Sequence, residues 1–193
     1  MSRIPELTPA TMNPEQRRMY DSIVGGKRMQ GRSASLTTEA GGLRGPFNPW
    51  LHTPKIGDAA QAVGDLLRFH GELPGTLREL AILVVARHWR SEYEWFAHAR
   101  IGLKEGMSEQ AVADIKQKRC PADATDTERA VYTFSRELLE QHHLDDATYS
   151  AVHQLIGDSQ TAELVCLLGY YGLVSMTLNT FQVALPDGES VDW

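Results

Sequence analysis

The chain has 193 residues, of which 42% are hydrophobic and 23% charged, which excludes a mainly disordered protein and allows a sizeable core. Its 25 acidic residues outnumber 19 Lys and Arg, and a net charge of −6 argues against nucleic acid or an anionic membrane as a partner. Cys120 and Cys166 form no CxxC pair and indicate neither a disulfide framework nor a zinc site. We predict a single domain over residues 1–193, with an N-terminal helix and arm over about residues 1–54.

Helical signals begin near the N-terminus. Asn13 followed by Pro14 predicts a helix start, and Gly25 and Gly26 predict its end. Residues 25–54 are rich in Gly, Ser and Pro and predict a long segment without regular structure. Such a segment is typical of a lid or an arm onto a partner, and equally of an ordered surface excursion.

Apolar residues then recur at helical spacing, and strand signals are nearly absent. Three predicted helices cover about residues 56–70, 77–89 and 92–105, with a break at 88–90. Four more are predicted to begin after Ser108, after Thr125 (with Glu128 at capping-box spacing), after Asp145 or Asp146, and after Ser159. The helix that begins at Asp145 or Asp146 is predicted to end at Gly157. The fold class predicted from these signals is all-α, a helical bundle of seven to eight helices.

The longest uncharged stretch, residues 164–186, has the length of a transmembrane span. Its second half carries Ser175, Thr177 and Asn179, which favours a buried helix instead. The first ten residues contain no apolar signal segment. We therefore expect a soluble, cytoplasmic protein with no membrane partner.

A weak internal repeat relates two apolar stretches. Residues 79–84 (ELAILV) align with residues 163–168 (ELVCLL), and the same offset places Ser91 on Ser175. The polar residues that follow Ser91 are not repeated. The pattern is typical either of a duplicated helical hairpin or of chance apolar similarity.

The polar residues most suggestive of chemistry lie in residues 78–108 (RELAILVVARHWRSEYEWFAHARIGLKEGMS). Glu94 and His98 are four residues apart and therefore share one face of a helix. Histidine titrates near neutral pH, and a neighbouring carboxylate favours its charged form. With Glu79 upstream, the pair is a candidate for general acid/base catalysis.

A purely structural interpretation of the same glutamates stays open. Thr76 with Glu79, and Ser91 with Glu94, both have the spacing of a capping box. In that case each carboxylate satisfies only the N-terminus of its own helix.

Residues 78–107 resemble the carboxymuconolactone decarboxylase family, which has the alkylhydroperoxidase D-like helical fold. The thiol branch of that family carries a glutamate, eleven residues, Cys-x-x-Cys, three residues and a histidine. Glu79 and His98 match the outer positions, and the resemblance extends over about residues 45–185. It implies homo-oligomers, often trimers or hexamers, with pockets near subunit boundaries.

Ser91 and Glu94 stand where the thiol branch has its two cysteines. Because serine cannot cycle through a disulfide, we do not expect peroxide reduction by that route. The pattern resembles the decarboxylase branch, which implies cofactor-free loss of carbon dioxide from an unsaturated lactone acid. There His98 would transfer the proton, Glu94 would be its partner, and Glu79 would position it or exchange protons. The alternatives are a peroxidase-like antioxidant protein of this fold and a non-catalytic oligomeric ligand-binding protein.

A small carboxylated substrate also needs polar contacts. The candidate substrate-binding residues are Ser91, Arg90, His88 and Tyr93. The basic residues are more typical of a solvated helix surface, and the aromatic ones of a core or a subunit interface. A metal site would need His88, Glu94 and His98 to converge, because Glu94 and His98 alone supply only two ligands. We expect no metal and no other cofactor.

Overall fold

The computed structural model describes residues 2–26, 36–186 and 189–193. These residues contain eight helices and one isolated β-bridge, between Thr37 and Leu43. The helices are α1 (Pro14–Val24), α2 (Phe47–Leu51), α3 (Pro54–Phe69), α4 (Gly75–Trp89), α5 (Glu92–Glu105), α6 (Glu109–Lys116), α7 (Asp126–Gln141) and α8 (Asp146–Phe181). The prediction of an all-α fold with seven to eight helices is confirmed.

Several helix ends are formed by the residues that the sequence indicates. Asn13 caps α1 and forms a capping box with Gln16. Thr125 does the same for α7 with Glu128. The predicted break before α5 is a left-handed residue, Arg90 (φ 50°), at the end of α4. This turn redirects the chain so that α4 and α5 form a helical hairpin.

The last helix, α8, contains the predicted interruption. Gly157 has φ 75° and ψ −178°, so two helical segments meet there. The first segment begins as expected, since Asp145 Oδ1 accepts a hydrogen bond of 2.6 Å from the Thr148 N–H. By length and composition alone α8 could cross a membrane, but half of its most apolar stretch is buried within the fold. Core helices of soluble proteins have the same properties.

The described residues form two compact units. The first comprises the residues up to Gly71 together with Thr177–Ala184. The second comprises Glu72–Met176 and Leu185–Trp193. The single domain over residues 1–193 stays a prediction.

In the first unit, the apolar side chains of the segment that precedes α3 are buried. Leu36, Leu43, Phe47, Trp50 and Leu51 are each at most 5% exposed. The expectation of a segment without regular structure over residues 25–54 is therefore wrong for this part, which includes the short helix α2. Residues 27–35 of that segment lie outside the described residues. A five-residue helix is too short to show helical periodicity, and only its contacts reveal it.

In the second unit, α4 is the central helix. Every residue from Leu80 to Ala86 is at most 5% exposed, so the helix is buried on all sides. It packs against α5, α6 and α7. Glu79, one residue before this apolar run, is therefore carried into the core.

The close contact of α3 with α2 depends on a glycine. A Cβ on Gly57 would lie 2.6 Å from the Trp50 carbonyl oxygen, which is backbone and cannot move aside. We expect Gly57→Ala to lower the free energy of unfolding by about 1–3 kcal/mol through overpacking. Chemical denaturation measures the change. The control Gly169→Ala has no atom within 4 Å of its new methyl. It should be neutral or stabilising by up to about 1 kcal/mol; equal effects of both would contradict this explanation.

Asp114 anchors the connection from α6 to α7. It is 3% exposed and accepts hydrogen bonds from Arg119 (2.8 Å) and the Ala122 N–H (3.1 Å). The Arg119 side chain and then the Ala122 amide lower the pKa of this carboxyl below its usual value. The ionised carboxylate therefore stabilises the fold above the ordinary pKa of aspartate, and this stabilisation is lost as the pH falls through the depressed pKa.

We expect Asp114→Asn to lower the Tm at neutral pH. The substitution replaces one carboxylate oxygen by an NH2 group, which cannot accept the hydrogen bond that Arg119 or the Ala122 N–H donates. The difference from wild type should shrink as the pH falls from about 5 to 3. Thermal melts across this range measure it. Asp192→Asn, at an exposed aspartate, removes the same charge and should leave the Tm unchanged. A constant difference for Asp114→Asn at all pH values would contradict the assignment.

Candidate active site

The site is built on a buried hydrogen bond between α4 and α5. Glu79 Oε2 lies 2.6 Å from His98 Nδ1. Glu79 is fully buried and His98 is 3% exposed. A buried carboxylate is tolerated only when it is paired and hydrogen-bonded. Glu79 has a second partner, Arg78 Nε, at 3.3 Å.

Glu94 occupies the other side of the imidazole. Its Oε2 lies 3.5 Å from His98 Nε2, and the side chain is almost completely buried. The shared helix face predicted for these two residues of α5 is confirmed. Because the Glu79 carboxylate holds the proton on Nδ1, Nε2 is the ring nitrogen left to exchange a proton. The Glu94 contact is too long for a strong hydrogen bond.

Neither capping box forms at these glutamates. Helix α4 begins at Gly75 after Pro74, which has no side-chain cap, so Thr76 lies inside the helix. Ser91 occupies the N-cap position of α5, but its side chain makes no capping hydrogen bond. The structural interpretation of Glu79 and Glu94 as helix caps is therefore wrong, and both carboxylates turn towards His98.

Two further residues shape the surroundings of His98. Tyr171 of α8 packs edge-to-face on the imidazole, with ring centroids 5.0 Å apart. Gly102, one turn after His98, allows α5 to approach α4, since a Cβ there would lie 2.7 Å from Met107 Sδ and 3.5 Å from Glu79 Cβ. Tyr171 is distant from Glu79 and His98 along the chain, and the only signal it carries in the sequence is its place on the last apolar helix.

The candidate substrate-binding residues are distributed unevenly. Ser91 is fully buried and lies three and seven residues before Glu94 and His98, hence on the same face of α5. Tyr93 is half-buried and Arg90 is exposed. Ser91 is thus a buried residue at the start of the helix that carries Glu94 and His98, whereas Arg90 lies at the solvent-facing turn. Their roles in binding stay predictions.

His88 lies in a different place, on an open cleft lined by residues of α4, α6 and α7. The cleft is also lined by Arg87, Lys118 and Arg136. The residues that surround the His98 imidazole, Glu79, Glu94 and Tyr171, do not line it. Partial burial lowers the pKa of His88. His88 thus lies apart from buried Glu94 and His98, so the three-residue metal set considered from the sequence does not assemble. Within residues 2–26, 36–186 and 189–193, no group of three or more His, Cys, Asp or Glu side chains is placed to hold a metal.

Both cysteines are free thiols outside this arrangement. Cys120 lies beside Arg129, with Sγ 3.7 Å from a guanidinium nitrogen, and burial raises the pKa of its thiol. Cys166 is exposed on α8. A raised pKa disfavours the thiolate that peroxide chemistry requires.

The fold is shared with solved structures of the alkylhydroperoxidase D type. A peroxidase-related protein from Ralstonia eutropha, described as an alkylhydroperoxidase AhpD core, matches with a TM-score of 0.74 at 19% identity, covering 96% of this chain and 93% of that one. A protein of unknown function from Agrobacterium tumefaciens, described as a candidate antioxidant defence protein AhpD, matches with a TM-score of 0.66 at 16% identity, covering 72% and 96%. At these identities the likeness shows the fold alone.

Part of the sequence also matches a protein-family model. Residues 54–137 match the model of the carboxymuconolactone decarboxylase family, and this range includes Glu79, Glu94 and His98. The matched range is less than half of the 193 residues, and it shows a likeness to this family over the part of the chain that carries the site. Comparison with curated proteins by sequence gives no match.

We expect Glu79→Gln to lower the free energy of unfolding by about 1–3 kcal/mol, because it weakens buried hydrogen bonds to charged partners while keeping the side-chain shape. Chemical denaturation at neutral pH measures the loss. Glu72→Gln, at an exposed glutamate of the same unit, should have no comparable effect. Equal stability of the two variants would show that the carboxylate charge at residue 79 does not support the fold.

Proposed function

We propose that this chain is a cofactor-free enzyme that transfers a proton during decarboxylation of a small carboxylated lactone or a related cyclic acid. The observation that carries the proposal is the imidazole of His98 held between two buried carboxylates, Glu79 at 2.6 Å and Glu94 at 3.5 Å. The match of residues 54–137 to the model of the carboxymuconolactone decarboxylase family supports the same reaction class.

The proposed reaction needs one acid and no redox group. The bond between the substrate carboxylate and its ring carbon breaks, and carbon dioxide leaves. The electron pair passes into the unsaturated lactone as a dienolate. The imidazolium of His98 gives its Nε2 proton to a carbon of that dienolate, and solvent then returns a proton to Nε2.

The two carboxylates have different roles in this scheme. Glu79 accepts the Nδ1 hydrogen bond, so it orients the ring and stabilises the imidazolium form. Glu94 lies on the reacting side and completes the path of the proton to Nε2. Because its contact with Nε2 is long, a substrate atom can take its place beside the ring without breaking a strong hydrogen bond.

We also propose that the protein acts as a homo-oligomer, a trimer or a hexamer, in the cytoplasm. Ile56, Val63 and Leu66 leave an apolar stripe of α3 between 44% and 69% exposed. Such a stripe is typical of a surface that a second subunit covers. Light scattering coupled to size-exclusion chromatography measures the subunit number.

Peroxide reduction is the second candidate because the solved structures that share the fold include a peroxidase-related protein. The positions of the thiol pair carry Ser91 and Glu94, and neither free cysteine lies among the residues that surround His98. A thiol-dependent route would therefore need a nucleophile from elsewhere. We favour acid/base chemistry on this ground.

We expect His98→Gln to reduce kcat for a carboxylated muconolactone by about 10²- to 10⁴-fold, the usual contribution of a general acid. Mass spectrometry of the decarboxylated lactone measures turnover. His153→Gln is the matched control, because His153 is 40% exposed and pairs with Asp158 at the surface. Its activity should equal that of wild type.

Three results would contradict the proposal. Full turnover by His98→Gln would remove the histidine from the reaction. Binding of lactone acids by the wild type without any product would favour a ligand-binding protein. Consumption of hydroperoxide with a thiol donor, abolished by Cys120→Ser or Cys166→Ser, would favour the peroxidase.

A further inference from the structure

Two serines of the second unit keep buried hydroxyl groups with no hydrogen-bond partner among the described residues. They are Ser91, at the start of α5, and Ser175, on α8, and both are 0% exposed. Leaving a buried hydroxyl unpaired costs about 1–3 kcal/mol, so such groups are rare and call for an explanation. Ser135, a third fully buried serine of this unit, instead donates to the Val131 carbonyl oxygen at 2.7 Å.

Ser175 lies on the face of α8 that contacts the candidate active site. Tyr171, whose ring packs on His98, is one helical turn before Ser175. Leu164, Leu168, Tyr171 and Ser175 follow one another at spacings of four, three and four residues, and each is at most 3% exposed. This buried stripe directs the hydroxyl of Ser175 to the same side as the Tyr171 ring.

A second contact places this turn of α8 beside Ser91. A Cβ on Gly172 would lie 3.7 Å from Trp89 Nε1. Trp89 ends α4, two residues before Ser91, while His98 lies seven residues after it. Helix α8 therefore contacts one residue that precedes Ser91 in the sequence, Trp89, and one that follows it, His98. The internal repeat of the sequence also pairs Ser91 with Ser175.

We propose that the Ser91 and Ser175 hydroxyls together bind the substrate oxygen on which negative charge develops as carbon dioxide leaves. This inference rests on the proposed decarboxylation, and it specifies the ligand: a small lactone or enolisable acid that presents a carbonyl oxygen to the Glu94 side of His98. Ser175 would thereby join Ser91 as a substrate-binding residue.

Neutral donors suit this position. As the bond to the carboxylate breaks, electrons move into the lactone and its carbonyl oxygen becomes an enolate oxygen. Hydrogen-bond donors aimed at that oxygen are worth more in the transition state than in the ground state. A cation on the carboxylate would instead stabilise the group that must leave. The cation adjacent to Glu79, Arg78, is already engaged by Glu79 and by Glu105 at 3.6 Å.

The test compares Ser175→Ala and Ser91→Ala with Ser135→Ala. We expect each of the first two to lower kcat for a carboxylated muconolactone by about 10- to 100-fold, with a smaller change in KM. Their Tm should stay equal to that of wild type or rise, because an unpaired buried hydroxyl is removed. Ser135→Ala should keep wild-type kcat.

A binding measurement separates this inference from the proposed function. A saturated γ-lactone carboxylate, which cannot decarboxylate, is titrated by calorimetry into wild type, Ser175→Ala and Ser91→Ala. We expect weaker binding by both variants, with a loss of affinity smaller than their loss of kcat, because the probe presents a neutral carbonyl oxygen. The wild type could bind the probe but turn over no lactone acid, while the variants lose binding. That result would support oxygen binding by Ser91 and Ser175 and would contradict the proposed decarboxylase activity.

Three outcomes would overturn the serine pair. One is wild-type kcat and wild-type probe affinity in Ser175→Ala. Another is a Tm loss in Ser175→Ala with unchanged kcat, which would assign the hydroxyl a structural partner. The third is absence of probe binding by the wild type.

Discussion

The buried hydrogen bond between Glu79 and His98 is the interaction on which the rest of the second unit depends. A carboxylate with no exposed surface requires a fixed partner, so α4 and α5 must approach each other closely at this point. The left-handed turn at Arg90 and the missing side chain at Gly102 make that approach possible. Stability and the candidate chemistry thus share one contact.

The residues around this bond explain how one helical scaffold can support different reactions. Where the thiol branch of the family has two cysteines, this chain has Ser91 and Glu94. Glutamate and histidine exchange protons but not electrons, so the arrangement suits acid/base chemistry. The buried, unpartnered hydroxyls of Ser91 and Ser175 are the neutral donors that we propose to act beside these carboxylates. The proposed decarboxylation uses both features.

Much of the site was predictable from local spacing, because helical periodicity decides which side chains share a face. The four-residue spacing of Glu94 and His98 predicted their contact, and the family resemblance added Glu79. The same local pattern also fitted capping boxes, since Ser91 and Glu94 have the required spacing. Whether these glutamates cap their helices or contact His98 depends on packing between helices. Glu79 of α4 meets His98 of α5, and the spacing of residues within one helix cannot show such a contact.

The sequence by itself determined the helices other than α2, the break near Arg90, the interruption at Gly157 and the face shared by Glu94 and His98. These features depend on φ preferences, capping side chains and apolar periodicity, all of which act over a few residues. Only the tertiary structure decided that the apolar side chains of the segment before α3 are buried, that His88 lies on a separate cleft, and that Tyr171 of α8 packs on His98. The physical reason is that these placements depend on packing between residues distant in the chain, which no local preference encodes.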